Sequence, residues 1–233
     1  LTNIGVYTID ELGPGDFYRG IDDAFQGHVY PERTEPSILF RNKGNLSFED
    51  VSAKADLQDT SWSGDATFVD FNRDTYPDLY VLNMQGDDHY YENQGGQRFV
   101  DRTTELFPKT PWGAMGLKFF DYNNDGLEDL ILTDMHSDMH EEFVDPLLSE
   151  KTKFILPLKG AENNILGNAF FEQAPRGTFT EISDLIGTEN YWPWGLSVAD
   201  VNADGWEDVF IASSMNFPFR YGINSLLLNN RGR

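Results

Sequence analysis

Oxygen-bearing side chains recur at fixed spacing in three nine-residue segments, 70–78, 121–129 and 200–208. Each segment has Asp at its first, fifth and ninth positions and Asn at its third. Calcium prefers six to eight oxygen ligands, which alternating side chains and a backbone carbonyl of a short loop can supply. We therefore predict up to three calcium sites, with the carbonyl of position seven turned toward the ion. The predicted ligands are Asp70, Asn72, Asp74, Tyr76 and Asp78; Asp121, Asn123, Asp125, Leu127 and Asp129; and Asp200, Asn202, Asp204, Trp206 and Asp208.

Position six distinguishes the first loop from the other two. Gly126 and Gly205 permit the sharp turn that such a loop needs, whereas the first loop has Thr75 there and Pro77 shortly after. We expect the first site to bind calcium more weakly or with altered geometry. None of the loops is an EF-hand, because no Glu stands at position twelve and strands flank each loop.

An alternative interpretation is that these segments are Asn/Asp/Gly β-turns whose side chains cap their own backbone amides. Three loops in matching sequence contexts favour calcium. Without an ion, carboxylates within a few ångströms of one another repel, so calcium is expected to stabilise the fold and its removal to lower the melting temperature.

The elements around the loops follow two alternating patterns. A Gly-led apolar strand enters each loop and a second apolar strand leaves it. Between loops lies a hairpin with an Asn/Gly turn that returns through Phe-x-Asp/Glu. The hairpin Phe precedes the next loop by 22, 22 and 21 residues. The entry strands are 64–70, 116–121 and 195–200, the exit strands 79–82, 130–133 and 209–212, and the hairpins 38–50, 90–101 and 170–181.

Each unit supplies about four short strands, and a single sheet of this size cannot bury both of its faces. Such units stack radially into blades, so we predict an all-β fold of the β-propeller type, with a β-sandwich or solenoid as the alternative. Successive loops start 51 and then 79 residues apart, which places a surface insertion of about 28 residues roughly at 134–163.

The repeats predict that the whole chain is one portion of a propeller, made of successive repeats. Residues 1–3 are expected to end an exit strand, and the last segment starts another hairpin but stops before its Phe, so we expect an incomplete part of a longer propeller of about seven blades. The predicted divisions are 1–35 (partial blade and long loop), 36–103 (first repeat), 104–183 (second repeat with the insertion) and 184–233 (truncated third repeat).

Composition narrows the classes of partner. With 39 acidic and 17 basic residues the formal net charge is −22, which argues against binding nucleic acid or an anionic membrane. The absence of cysteine excludes disulfides, zinc–thiolate sites and cysteine nucleophiles. No apolar run approaches the length of a membrane span, and the first residues have no signal-peptide pattern, so we expect no membrane insertion and a mature or incomplete chain.

Residues for other chemistry are few. His136 and His140 are spaced i, i+4 and would face one transition metal on a helical turn, but the order is not His-Glu-x-x-His, and an exposed polar loop is the alternative. No Gly-x-Ser-x-Gly or phosphate-binding motif is present, so we expect a non-enzymatic protein.

A carbohydrate-active enzyme, such as a polysaccharide lyase or hydrolase, remains the alternative function, since acidic and aromatic residues abound. The tryptophans that precede the entry strands are expected to pack between blades rather than stack on sugars. These are Trp62, Trp112, Trp192 and Trp194.

Residues 119–130 and 198–209 resemble the FG-GAP, or VCBS, repeat of integrin-α-like β-propellers. The hairpin at 39–51 resembles the bacterial group related to cartilage acidic protein. The resemblance implies a calcium-binding propeller that is secreted, periplasmic or on the cell surface. It also implies a role in adhesion, recognition or assembly, with a protein partner or a larger envelope-associated complex.

Overall fold

The computed structural model describes residues 1–3, 6, 8–21, 34–57, 59–135, 164–216 and 220–232, of which 44% are in strands and 4% in helices. The predicted all-β fold is confirmed. The strands are β1 (Thr8–Leu12), β2 (Tyr18–Gly20), β3 (Phe40–Gly44), β4 (Ser47–Asp50), β5 (Ser63–Val69), β6 (Asp78–Asn83), β7 (His89–Gln94), β8 (Arg98–Asp101), β9 (Ala114–Phe120), β10 (Asp129–Asp134), β11 (Ala169–Gln173), β12 (Phe179–Glu181), β13 (Pro193–Ala199), β14 (Asp208–Ser213), β15 (Met215–Asn216), β16 (Arg220–Tyr221) and β17 (Ser225–Leu227).

Two sheets each have four antiparallel strands, hydrogen-bonded in sequential order. Their strand orders are β5-β6-β7-β8 and β9-β10-β11-β12. A third sheet, β13-β14-β17, has the first three strands of the same arrangement. In all three an acidic loop joins the first strand to the second, as the sequence predicts. Sequential four-stranded antiparallel sheets are the blades of propeller-type folds.

The chain divides into two compact units, Leu1–Pro108 and Lys109–Arg233. In the first unit, Leu1 exchanges two backbone hydrogen bonds of 2.8 Å with Ile38, just before the β3–β4 hairpin. The side-chain amide of Asn3 donates to the carbonyl of Pro36 at 2.7 Å. In the same way, the side-chain amide of Asn83 at the end of β6 donates to the carbonyl of Asp87. Residues 1–3 therefore lie beside this hairpin, and their assignment to the end of an exit strand stays a prediction.

The two faces of the β5–β8 sheet carry different sets of buried side chains, because successive residues of a strand point to opposite faces. Leu79 and Val81 of β6 pack with Tyr91 and Phe99. On the other face, Tyr80 and Tyr90 make edge contacts with Phe107. Every residue of β6 is buried, so this exit strand is covered on both sides.

In the second unit, one sheet packs on the next. Ile131 and Phe170 of the β9–β12 sheet form one core with Val209 and Ile211 of β14. The backbones come close at the Gly that leads an entry strand. A Cβ atom at Gly116 would lie 2.6 Å from the carbonyl oxygen of Trp194, so a larger residue does not fit there.

Two single-turn helices, α1 (Thr103–Leu106) and α2 (Ser183–Ile186), follow hairpins and were not expected from the sequence. Neither has the length or the apolar character needed to cross a membrane, and no other helix occurs in the described residues. β10 ends at Asp134, where the predicted insertion begins. Residues 136–163, with His136 and His140, lie outside the described residues.

Candidate metal site in three acidic loops

The side chains at positions one and three of each loop meet at one backbone amide. In the first loop the Asp74 amide donates to Oδ1 of Asp70 at 3.1 Å and to Oδ1 of Asn72 at 3.0 Å. The other two loops repeat this arrangement, so the oxygens of positions one and three converge on the amide of position five in every loop. The equivalent distances are 3.0 and 3.0 Å for Asp125 (to Asp121 and Asn123) and 3.0 and 2.9 Å for Asp204 (to Asp200 and Asn202).

Each loop also wraps around the second oxygen of position one, which accepts the amide of position six. These bonds measure 3.0 Å from Thr75, 2.7 Å from Gly126 and 2.9 Å from Gly205. The capping that the β-turn interpretation predicts is thus present. It is compatible with a cation, because each of these oxygens has two lone pairs and an amide uses only one.

The Asp at position nine behaves differently from the outer side chains. Asp78, Asp129 and Asp208 are completely buried. Oδ1 of each accepts a backbone N–H from the third strand of its sheet or the residues after it, and the second oxygen accepts further bonds. Position nine therefore ties the loop to the hairpin. The Oδ1 partners are Asn93 at 2.8 Å, Gln173 at 2.8 Å and Asn229 at 2.7 Å; the Oδ2 partners include the Tyr90 hydroxyl on Asp78 at 2.7 Å, the Tyr122 amide on Asp129 at 3.2 Å and the Val201 amide on Asp208 at 3.0 Å.

This third-strand partner was missed from the sequence, where Asn93 and its equivalents served only as turn residues. The signal available was an amide-bearing residue at the same place after each exit strand: Asn93, Gln173 and Asn229. In the first and third loops its side chain also donates to the carbonyl before position nine.

Burial and like charge disfavour ionisation of the position-nine carboxylates in the first and second loops. Burial raises the pKa of Asp129 to about 7; the charges of Asp125 and Asp121 add to the shift, and the amides of Gln173 and Tyr122 oppose it. Burial likewise raises the pKa of Asp78, with a contribution from Asp74 in the same direction. A cation at the loop would relieve this cost.

The donors fit calcium in kind, since every predicted side-chain ligand is a carboxylate or an amide oxygen. Within the described ranges, no three Asp, Glu or His side chains converge on a single point. Each loop presents two outer carboxylates and one amide, while the third carboxylate turns inward. Calcium binding at all fifteen predicted ligands stays a prediction.

Position six adopts the same left-handed conformation in all three loops, with φ of 75° at Thr75, 83° at Gly126 and 89° at Gly205. A β-branched residue rarely adopts a positive φ, because its side chain crowds the backbone. The first loop thus keeps the turn of the other two at a conformational cost, and its predicted weaker binding remains to be measured.

The tryptophans divide into two groups. Trp62 and Trp112 are buried and Trp192 is half-buried, which is compatible with the expected packing. Trp194 is 47% exposed, so for this residue the expectation of packing is wrong. It lies at an irregularity of the β13–β14 pairing between Pro193 and Gly195, and such bulges redirect side chains.

Comparison with known families supports the repeat assignment. The family model described as FG-GAP-like repeat matches residues 70–132 and 160–211, which contain all three acidic loops. No curated protein matches the chain. These two segments therefore match FG-GAP-like repeats, which is consistent with the propeller-type sheets.

Proposed function

We propose, from the premise that this is an FG-GAP-repeat chain, that it is a calcium-stabilised interaction module that works outside the cytoplasm. The observation that carries the proposal is the identical arrangement of the three acidic loops. In each, side-chain oxygens of positions one and three converge on one amide, and a buried carboxylate lies at position nine.

Calcium would be held by the side chains of positions one, three and five, the carbonyl of position seven and the free lone pairs of position nine. Bound there, the ion supplies positive charge beside carboxylates that now repel one another. Because position nine also holds the hairpin, the ion would stabilise three strands of a sheet together. Calcium sites of extracellular modules bind at about 10⁻⁴–10⁻³ M, which suits a secreted, periplasmic or cell-surface location.

The partner that we propose is a protein or a larger envelope-associated assembly. The net charge of −22 disfavours nucleic acid and anionic lipid and favours a partner with a basic surface. We also propose, from the β3–β4 hairpin and its sequence, a relationship to the bacterial group of cartilage acidic protein.

Equilibrium dialysis of the whole chain against calcium tests the metal assignment. We expect up to three ions per chain, and the double variant Asp121→Asn/Asp125→Asn should lose one of them. Asp65→Asn is the matched control, since Asp65 is an exposed aspartate of β5 outside the loops. Retention of no calcium by the unaltered chain would refute the assignment.

The interaction role requires a separate test. The whole chain, immobilised in calcium-containing buffer, should retain a specific protein partner, and retention should weaken as salt screens the acidic surface. Retention that is independent of both calcium and salt would contradict this role.

A second candidate, a carbohydrate-active protein, is favoured by one observation. Trp194 and Phe210 expose 47% and 40% of their surface on neighbouring strands β13 and β14, and exposed aromatic rings suit stacking on sugars. Turnover of polysaccharides by the chain, lost in Trp194→Ala, would favour this candidate over the first.

A further inference from the structure

His89 occupies a position at which the equivalent residues of the other repeats are not histidine. In each sheet, the third residue after the position-nine Asp pairs with a residue at the start of the third strand. The β3–β4 hairpin has the corresponding pairing with Leu1. The four residues at this position are His89, Ala169, Ser225 and Ile38. The histidine is therefore particular to the β5–β8 sheet rather than part of the shared framework.

Both ring nitrogens of His89 face polar side chains. Nδ1 lies 3.0 Å from Oδ2 of Asp101, and Nε2 lies 3.4 Å from Oγ of Ser61. The ring stacks on Tyr91 with centroids 5.7 Å apart and an interplanar angle of 26°. The Asp101 carboxylate accepts a hydrogen bond from the Nδ1–H group. The neutral ring therefore has an unprotonated Nε2, which can accept the proton of the Ser61 hydroxyl.

Asp101 is itself fixed in place. Its other oxygen, Oδ1, accepts the amide of Thr103 at 2.9 Å and the hydroxyl of Thr103 at 2.6 Å. Asp50 binds Ser52 in the same way in the preceding hairpin, so this capping is a shared structural feature. The contact between Oδ2 of Asp101 and a histidine is absent from the preceding hairpin, because the residue equivalent to His89 there is Ile38.

The three side chains are accessible from solvent. The side chain of His89 is 28% exposed and that of Asp101 is 46% exposed, while Ser61 is half-buried. They lie before β5, at the start of β7 and at the end of β8, which is the end of the sheet opposite the acidic loop. A substrate could approach them without contacting the predicted metal ligands.

We propose that Ser61, His89 and Asp101 form an acyl-transfer centre that accepts small carboxylic esters, an activity beyond the interaction role. Ser61 Oγ forms a bond to the acyl carbon as the ester C–O bond breaks. Nε2 of His89 takes the Ser61 proton and passes it to the departing alkoxide. Water then attacks the acyl carbon and gives a proton to Nε2. The bond between the acyl carbon and Oγ breaks, Nε2 returns the proton to Oγ of Ser61, and the carboxylic acid leaves.

The separation of 3.4 Å between Ser61 and His89 is long for a hydrogen bond but within the range of catalytic pairs without substrate. Burial lowers the pKa of His89, but the hydrogen bond and charge of Asp101, with the charges of Asp59 and Asp88, outweigh it and raise the pKa above 6.5. The ring therefore acts as a base at mildly alkaline pH, and the reaction should accelerate as the pH rises through the raised pKa of His89.

The test uses the whole chain with a fluorophosphonate probe and with p-nitrophenyl acetate, whose leaving group needs no proton. We expect one adduct per chain, located on Ser61 by peptide mass analysis and absent from Ser61→Ala. His89→Gln should slow labelling and hydrolysis at least about tenfold, since general bases contribute roughly 10²–10⁴-fold. The rate of the unaltered chain should follow a single ionisation with a midpoint above pH 6.5.

Two variants serve as matched controls and should leave the rates unchanged. Ser47→Ala removes an exposed serine hydroxyl of β4 that binds only the carbonyl of Gly44 among the described residues. Asp50→Asn alters the equivalent capping aspartate where no histidine is present. Asp101→Asn retains the Thr103 cap while weakening the histidine contact, and circular dichroism checks that each variant folds.

An adduct spread over several serines, or labelling of Ser61 at an unchanged rate in both His89→Gln and Asp101→Asn, would overturn the proposal. If His89→Gln does not fold, Asp101→Asn alone decides it. Calcium binding provides a separate readout: labelling of Ser61 in a chain that binds no calcium would leave this centre standing while the metal assignment fails.

Discussion

Thr75 is the residue at which the first acidic loop departs from its own repeat. It has φ of 75°, where the other loops have glycine, and nothing lies within 4 Å of a Cβ built on Gly126 or Gly205. The difference between the loops at this position is therefore conformational and not a matter of space. A non-glycine residue in this region costs roughly 1–2 kcal/mol.

We expect Thr75→Gly to raise the free energy of unfolding by up to about 1 kcal/mol, since glycine's greater freedom in the unfolded chain offsets part of the relief. Urea unfolding followed by circular dichroism measures it. Gly126→Ala is the reverse control and should destabilise by a similar amount. Equal stabilities of Thr75→Gly and the unaltered chain would show that the first loop bears no strain.

His89 and Asp101 make stability depend on pH in a defined window. His89 and Thr103 lower the pKa of Asp101 to about 2 against the opposing effect of burial, so its contribution is present above about pH 3.8 and is lost as the pH falls toward 2. The pKa of His89 is raised, so its contribution is present below about pH 6.5 and is lost as the pH rises through the raised value.

The pair should therefore stabilise the fold most between about pH 4 and 6.5. His89→Gln should lower the free energy of unfolding at about pH 5 by no more than about 1 kcal/mol, because the pair is partly exposed. The loss should shrink at about pH 9, where the ring of the unaltered chain is neutral. Denaturant unfolding at the two pH values compares them, and an equal loss at both would contradict the ion pair.

At the scale of the element, the buried aspartate of position nine joins each acidic loop to the hairpin of its own sheet. Asp208→Ala would leave the amides of Asn229 and Val201 without their side-chain acceptor. Both bonds are only partly buried, so their loss should cost less than the roughly 1–3 kcal/mol of a fully buried unsatisfied donor. We expect this variant to lose amide-exchange protection at Asn229 and Val201 even in calcium-free buffer.

Asp204→Ala is the matched control for that prediction. Asp204 lies in the same loop but is exposed, and its carboxylate accepts only the amide of Trp206 among the described contacts. In calcium-free buffer its removal should leave the protection of Asn229 unchanged. Equal losses in both variants would show that position nine has no special structural role.

The strands could be predicted because their signals are local. A mainly apolar segment between a leading glycine and the acidic loop defines β9, and an apolar run directly after the loop defines β10. An Asn/Gly turn defines β3 and β4. The helices α1 and α2 could not be predicted from periodicity, since four residues show no 3.6-residue repeat. Their available signal was the capping pair, Asp101 with Thr103 and Glu181 with Ser183.

For the whole molecule, the arrangement of the outer loop could be predicted because positions one to six are neighbours in sequence. The partners of position nine could not, because they lie 15, 44 and 21 residues farther along the chain and are brought near only by the sheet. The same reason hides His89, whose partners Ser61 and Asp101 are 28 and 12 residues away.

The net charge of −22 sets the energetic problem that calcium would solve. Repulsion among carboxylates disfavours the compact state, and like charges in the loops contribute to it at Asp78 and Asp129. An ion that binds only the folded chain stabilises it by about 2.7 kcal/mol per site at a hundredfold excess over Kd. Two or three such sites would make calcium a large part of the stability of a domain.

The melting temperature of the whole chain, measured with calcium and with a chelator, tests the central claim most directly. We predict that the melting temperature rises progressively with calcium and that magnesium at equal concentration has a smaller effect. A variant in which Asn replaces Asp121, Asp125, Asp200 and Asp204 should lose most of the rise. A melting temperature that is the same with calcium and with the chelator would contradict the claim that the three loops are calcium sites.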